Sequence, residues 1–579
     1  METETTLKAS AVKKSEKKVV VSGAEAIILS FLAEGVDTIF GYPGGAIMPV
    51  YDALYHYQDK VNHVLTRHEQ GAIHAAQGYA RVNGKVGICM ATSGPGATNL
   101  ITGLADAQID STPLVCVTGQ VASPLLGTDA FQETDVVGVS MAVTKWNFQV
   151  TKASDIAETM AKAFFIARSG RPGPVLVDIT KDAQIDFVEF DYKPCTKIRS
   201  YIPKPVIEHS AVKDAAALIN AAKKPLLLVG QGVVLSGAEK ELIDFIDKTG
   251  IPAAWTLLGL SALPTEHPLN VGMLGMHGNY GPNVKTNECD LLIALGMRFD
   301  DRVTGDTKRY AKQAKIIHID IDPAEINKNI PANVAVVGDA KEVLIALQKQ
   351  VLQNEHKSWL EEFKVCEELE YEKVIDGNFF PKGEDLTMGE TVKMISERGK
   401  GDAILVTDVG QHQMAASRYF KFNKTRSNVT SGGLGTMGFA LPAALGAKIG
   451  APEREVVAVI GDGGFQMTLQ ELGTIFQTKA AVKIVILNNN FLGMVRQWQQ
   501  LFFEKRYSFT EMTNPDFVGI AKAYGIEANK VSTRGNLSQA VDDMFDHDGP
   551  YLLEVVVEKE ENVFPMVASG TCVSEIRLE

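Results

Sequence analysis

Two apolar runs in the last third of the chain, each ending in a polar turn, constrain the fold more than any other feature. Val457-Ala458-Val459-Ile460 meets Gly461-Asp462-Gly463-Gly464; a helical pattern follows; Val482-Lys483-Ile484-Val485-Ile486-Leu487 then meets Asn488-Asn489. Short apolar runs separated by a helix predict parallel strands joined by a right-handed crossover, which brings the carboxyl ends of both strands to one edge. Asp462 and Asn489 then become neighbours there. A carboxylate and an amide oxygen suit a hard cation such as Mg²⁺, and the glycines around Asp462 let backbone approach a diphosphate. Taken singly each motif is also a plain turn, because Asn and Gly favour turns. Their joint spacing gives them weight.

The same unit recurs upstream. Thr38-Ile39-Phe40 leads into Gly41-Tyr42-Pro43-Gly44-Gly45-Ala46, and the run ending at Ala91 leads into Thr92-Ser93-Gly94-Pro95-Gly96. Pro225-Leu226-Leu227-Leu228-Val229 meets Gly230-Gln231-Gly232, and Leu291-Leu292-Ile293-Ala294-Leu295 meets Gly296. Alternating strands and helices predict an α/β chain of three doubly wound parallel-sheet domains, over 21–190, 205–365 and 385–565. A short polar arm (1–20) and a tail (566–579) flank them. At 579 residues there is ample length for three cores.

Composition removes several function classes. The net charge is −13 with no dense basic block beyond Lys13-Lys14-Ser15-Glu16-Lys17-Lys18, so nucleic acid is not an expected partner. No apolar run is long enough for a membrane span, and the first residues lack the apolar core of a signal peptide. The six cysteines form no CxxC pair, which fits a reducing, cytoplasmic setting.

Other residues carry chemistry less specifically. Glu69 follows a strand at the start of a helix, where a carboxylate is favoured by helix electrostatics alone. Arg298-Phe299-Asp300-Asp301-Arg302 offers two guanidinium forks for an anion, or two local ion pairs. Met437 lies in a glycine-rich turn, Ser431 to Phe439, where a methionine filling a core gap is the bland alternative.

With these motifs in view, the chain resembles the thiamine diphosphate enzymes, whose metal motif is Gly-Asp-Gly followed after a helix and a strand by Asn-Asn, and among them the acetohydroxyacid synthases. The resemblance runs from about Ser22 to Pro565. It implies that pyruvate is decarboxylated and joined to a second pyruvate or to 2-ketobutyrate, in branched-chain amino acid biosynthesis; a catabolic acetolactate synthase, or another carboligase or oxidase of the same superfamily, is the alternative. It implies Mg²⁺ held by Asp462, Asn489 and the Phe491 carbonyl. Thiamine diphosphate would touch Pro43, Gly44, Gly410, Gln411, His412, Gly435, Met437, Gly461, Gly463, Gly464, Gly493 and Met494. Glu69 matches the catalytic glutamate that bonds the cofactor's pyrimidine nitrogen, and Met437 the residue that bends the cofactor.

Gly45, Ala46, Phe131, Gln132, Lys181, Arg302, Met494, Val495 and Trp498 match the substrate pocket. Arg302 matches the residue holding the second substrate's carboxylate, and Trp498 the one favouring 2-ketobutyrate. The resemblance further implies FAD, facing Arg171, Gly230, Gly232, Gly275, Met276, His277, Gly296, Arg298, Asp300, Arg302, Asp320, Ile321, Gly338 and Asp339. It also implies a homodimer or homotetramer with sites at the subunit interface, and a small regulatory subunit.

Overall fold

The computed structural model describes residues 19–579. Most of the arm expected over 1–20 lies outside the described residues; Val19 and Val20 begin a strand, Val19–Ser22, that pairs antiparallel with Phe187–Phe190. Three six-stranded sheets follow in chain order, and every pairing within them is parallel. Their strands read as near-continuous apolar runs because helices cover both faces. Val456–Gly461 and Val482–Asn488, for example, are buried along their whole length.

The first sheet runs, edge to edge, Asn62–Leu65, Thr38–Gly41, Gly87–Ala91, Leu114–Gln120, Pro174–Thr180, Trp146–Val150. The last runs Asn428–Thr430, Ile404–Thr407, Val456–Gly461, Val482–Asn488, Tyr551–Val556, Glu527–Val531. Numbered within each sheet, both follow the order 2-1-3-4-6-5. The middle sheet has the order 3-2-1-4-5-6, with Pro225–Val229 beside Leu291–Leu295 at its centre. In each sheet the winding reverses beside the first strand, and ligands of such sheets sit outside the carboxyl ends at that reversal. In the last sheet it falls between Ile404–Thr407 and Val456–Gly461, so the turns at Asp408 and Asp462 flank one crevice.

The first and last sheets are locked together by two helices, Glu69–Asn83 and Ala440–Gly450, both almost entirely buried. They cross so closely that a methyl group on Gly78 would overlap the Ala443 carbonyl, and one on Gly446 the Ala75 carbonyl. Polar bonds extend the seam. Arg81 donates to the Thr430 carbonyl (2.7 Å) and to Asp110 (2.8 Å), and Asp110 accepts from the Gly432 and Gly433 N–H groups (2.9 and 2.7 Å). One apolar cluster spans this contact, and a second spans the middle and last sheets. The tail lies across the middle sheet's loops, the Val567 N–H donating to the Met276 carbonyl at 2.8 Å. Among the described residues no helix is long and apolar enough to cross a membrane.

Candidate active site

The crevice at the edge of the last sheet is built from backbone register. Gly461 pairs with Leu487, which sets Asp462 beside Asn488 and leaves Asn489 one step beyond. Asp462 is buried at the first turn of the helix Asp462–Thr468. Burial pushes its carboxyl up to about 6, against a hydrogen bond from Asn514. The Asn514 amide donates to Asp462 (2.6 Å), to the Asn488 side-chain oxygen (3.0 Å) and to that of Asn490 (3.1 Å). Asn489 Oδ1 accepts from the Phe491 N–H at 3.1 Å, an Asx turn that folds the loop back on itself.

Behind this edge, Asp408 is fully buried and accepts from the N–H groups of Val409 (2.9 Å), Gly438 (3.1 Å) and Ala440 (3.0 Å), fixing the turn that carries Met437. His412 is buried and neutral, desolvation drawing its pKa down to about 3, and its Nε2 has no partner. A side chain at Gly461 would strike the His412 ring, and one at Gly493 would strike Gln411 and Asn489.

These groups fit a metal-bound diphosphate. The donors at the edge are a carboxylate, amide oxygens and backbone carbonyls, all hard oxygen ligands, beside turns where glycine clears the approach. Among the described residues no cluster of three or more His, Cys, Asp or Glu could hold a metal. The expected set depends on no such cluster, since it has one carboxylate.

Asp462, Asn489, Phe491, Gln411, His412 and the glycines at 461, 463, 464 and 493 form the edge described above and are not among the residues lining a cavity of about 1160 Å³; the structure divides the rest of the expected site into two groups. Gly410, Gly435, Met437, Met494, Val495 and Trp498 line that cavity with Gly275, Met276, His277, Arg298 and Arg302 of the middle domain. Glu69, Gly45, Ala46, Phe131, Gln132, Lys181 and the Pro43-Gly44 turn are not among its lining residues. They belong to the edge of the first sheet. Glu69 is 9% exposed at the start of its helix and accepts from Asn99 Nδ2 at 2.9 Å. Ala46 N–H donates to Thr92 Oγ1 at 3.2 Å, and Gly44 leaves room for the same threonine. Gln132, at positive φ, packs on Gly94, while Phe131 is 88% exposed and Lys181 is exposed.

Asn514, Asp408 and Asn99 were missed by sequence reasoning as site residues. Asn99 follows the Thr92 to Gly96 turn and Asp408 directly follows the strand Ile404–Thr407, and the only signal was that place beyond a strand end. Asn514 carries no local signal.

Thiamine pyrophosphate enzyme models match all three domains: the N-terminal TPP binding domain over residues 21–139, the central domain over 212–347 and the C-terminal TPP binding domain over 408–555. The chain is 48% identical to the acetolactate synthase isozyme 2 large subunit of Escherichia coli, over 96% of this chain and 99% of that one. It is 48% identical to the acetolactate synthase large subunit of Corynebacterium glutamicum, over 96% and 90%, and 47% identical to the acetolactate synthase of Mycobacterium bovis, over 96% and 91%.

One expectation is corrected. FAD, and with it the description of the chain as a flavoprotein, does not stand: the matching models are described by thiamine pyrophosphate and the relatives by acetolactate synthesis, without a flavin. Several residues expected to face it are engaged within the chain. Arg171 bonds Ser111 (2.9 Å) and Glu325 (2.7 Å). Asp300 accepts from the Arg302 and Val303 N–H groups, Asp320 from Asp322 N–H, and Asp339 from Lys341 and Glu342 N–H. Arg298 lies 3.9 Å from Asp300 and Arg302 lies 3.8 Å from Asp301, the local ion pairs that the sequence left open. Gly230 and Gly232 serve the fold, donating to the Leu295 and Gly296 carbonyls where their strands meet, and Gly338 donates to the Asp320 carbonyl. With the coverage of all three models and the near full-length identity, the chain belongs to the thiamine diphosphate enzyme family, among the acetolactate synthase large subunits.

Proposed function

We propose that this chain catalyses the decarboxylation of pyruvate and the joining of the remaining two-carbon unit to a second pyruvate or to 2-ketobutyrate, giving 2-acetolactate or 2-aceto-2-hydroxybutyrate for branched-chain amino acid biosynthesis. The observation that carries this reading is the convergence of Asp462 and the Asn488–Asn490 turn at the winding reversal of the last sheet. Asp462, the Asn489 side-chain oxygen and the Phe491 carbonyl would hold Mg²⁺. Gly410, Gln411, His412 and the glycines at 461, 463, 464 and 493 would receive the diphosphate. Bound thiamine diphosphate supplies the carbon nucleophile and the electron sink.

The side chains orient and select. Glu69, which accepts from Asn99, would bond the cofactor's pyrimidine nitrogen and hold the proton shared between them, which favours the imino form of the neighbouring amino group. Met437 props the cofactor, its turn fixed by Asp408. Arg302, whose side chain is 62% exposed, offers a guanidinium fork to the second substrate's carboxylate. Met494, Val495 and Trp498 wall the space around that substrate, and Gln132, Phe131 and Lys181 border it from the first sheet.

The split between the two groups of residues supports a homodimer, or a tetramer of such dimers, in which the Glu69 edge of one copy closes the Asp462 edge of another. We assign the domains to 21–190, 205–365 and 385–565. The relatives named large subunits support a small regulatory partner, and the reaction's place in amino acid synthesis supports the cytoplasm.

The test is product formation by purified protein given pyruvate, thiamine diphosphate and Mg²⁺. Glu69→Gln is expected to lower acetolactate formation by about 10²–10⁴-fold with an unchanged melting temperature. Undiminished turnover in that variant would remove Glu69 from the mechanism.

A further inference from the structure

The helix Gly493–Phe502 has two unlike faces. Met494, Val495 and Trp498 line the cavity. Arg496 and Gln497 point the other way and are both 0% exposed. The Gln497 amide docks on the backbone of Val563 as a neighbouring strand would: Nε2 donates to the Val563 carbonyl at 3.1 Å and Oε1 accepts from the Val563 N–H at 2.9 Å. The same Oε1 accepts from Gln411 Nε2 at 2.8 Å. Gln411 and Arg496 in turn both donate to the Glu561 carbonyl, at 2.8 and 2.6 Å.

Two consecutive helix residues are therefore bolted to one extended segment, and one of them also to the turn expected to hold the diphosphate. The helix can neither slide nor rotate without stranding buried donors and acceptors, and that penalty is what fixes it. Trp498 is the next residue, about 100° further round the axis, so its depth in the cavity is set by bonds made one position earlier on its own helix.

We propose that Gln497 is the positioning residue that sets how far Trp498 reaches into the cavity, and thereby how strongly the site prefers a second keto acid longer by one methylene. The inference rests on Trp498 walling the second substrate, as proposed above, and on the preference for 2-ketobutyrate that the family resemblance implies for it. Discrimination of one methylene depends on close apolar fit, so a small displacement of the indole is enough to erode it.

The experiment supplies pyruvate and 2-ketobutyrate together and measures both products in the same reaction. Their ratio is independent of how much enzyme is folded, so a merely structural loss does not move it. Gln497→Met removes the bonds to Val563 and Gln411; Gln497→Glu keeps the acceptor and loses the donor. The ratio of 2-aceto-2-hydroxybutyrate to 2-acetolactate is expected to fall at least about threefold in Gln497→Met and by less in Gln497→Glu. If Gln497→Met gives no soluble protein, Gln497→Glu alone carries the test. Trp498→Leu is measured in parallel. A wild-type ratio in the soluble Gln497 variants, with Trp498→Leu lowered, overturns the inference alone. A wild-type ratio in Trp498→Leu overturns the reading of Trp498 and the inference with it.

Discussion

Glu561 shows how a single side chain ties the site to pH. Its carboxyl accepts from the Met388 N–H at 3.0 Å while its carbonyl anchors Gln411 and Arg496. Burial pushes the carboxyl up to about 7, with Glu558 and Glu390 adding to the effect and Arg496 opposing it. The folded chain thus holds this proton more tightly than the unfolded chain. The resulting stabilisation is complete below the unfolded value and is lost as pH rises through about 7. Glu561→Gln removes the titration and leaves the carbonyl in place. Its stability relative to wild type is expected to rise by about 1–3 kcal/mol between pH 5 and pH 8, read from denaturation midpoints at both values. A gap that does not change with pH would show that the carboxyl is not shifted. Asp408 acts without titration in view. Asp408→Ala strands the buried Gly438 and Ala440 N–H groups beside Met437. A loss of about 1–3 kcal/mol per stranded group and weaker binding of thiamine diphosphate are expected, followed by thermal melting and by titration.

At the level of elements, the crossing of Glu69–Asn83 with Ala440–Gly450 decides the spacing of the first and last sheets. In an open helix Gly→Ala stabilises by roughly 0.5–1 kcal/mol. At Gly446 the added methyl meets the Ala75 carbonyl, and overpacking by about 1–3 kcal/mol reverses the sign. Gly446→Ala is therefore expected to lower the melting temperature, and a rise would show that the helices can part. The sequence marks both helices but not their contact, because an alanine-rich helix looks the same wherever it docks. Strands were legible for a plain reason: buried on both faces, Val456–Gly461 is apolar throughout and 482–487 is interrupted only by Lys483. The turn at Asp462 was legible because glycine is needed beside it. Asn514 was not, since its three bonds exist only after a loop far along the chain has closed over the edge. The packing of the tail on Met276 was hidden for the same reason.

For the whole molecule, the two groups of site residues set the terms of assembly. If each site takes Glu69 from one copy and Asp462 from another, two inactive variants must repair each other. Glu69→Gln and Asp462→Asn, mixed in equal amounts under conditions that allow subunits to exchange, are expected to recover about a quarter of wild-type activity, since half of the dimers are mixed and each has one intact site. No recovery, with exchange confirmed by differential labelling, would place both residues in sites formed within one copy. The common winding of the first and last sheets has a further consequence. The turn at Gly44 and the turn at Gly410 follow the same strand of one blueprint, as do Thr92 and Asp462. What separates a ledge that receives a ring from one that receives a diphosphate is a handful of side chains, and those few could be transplanted between the ledges without redrawing the scaffold beneath.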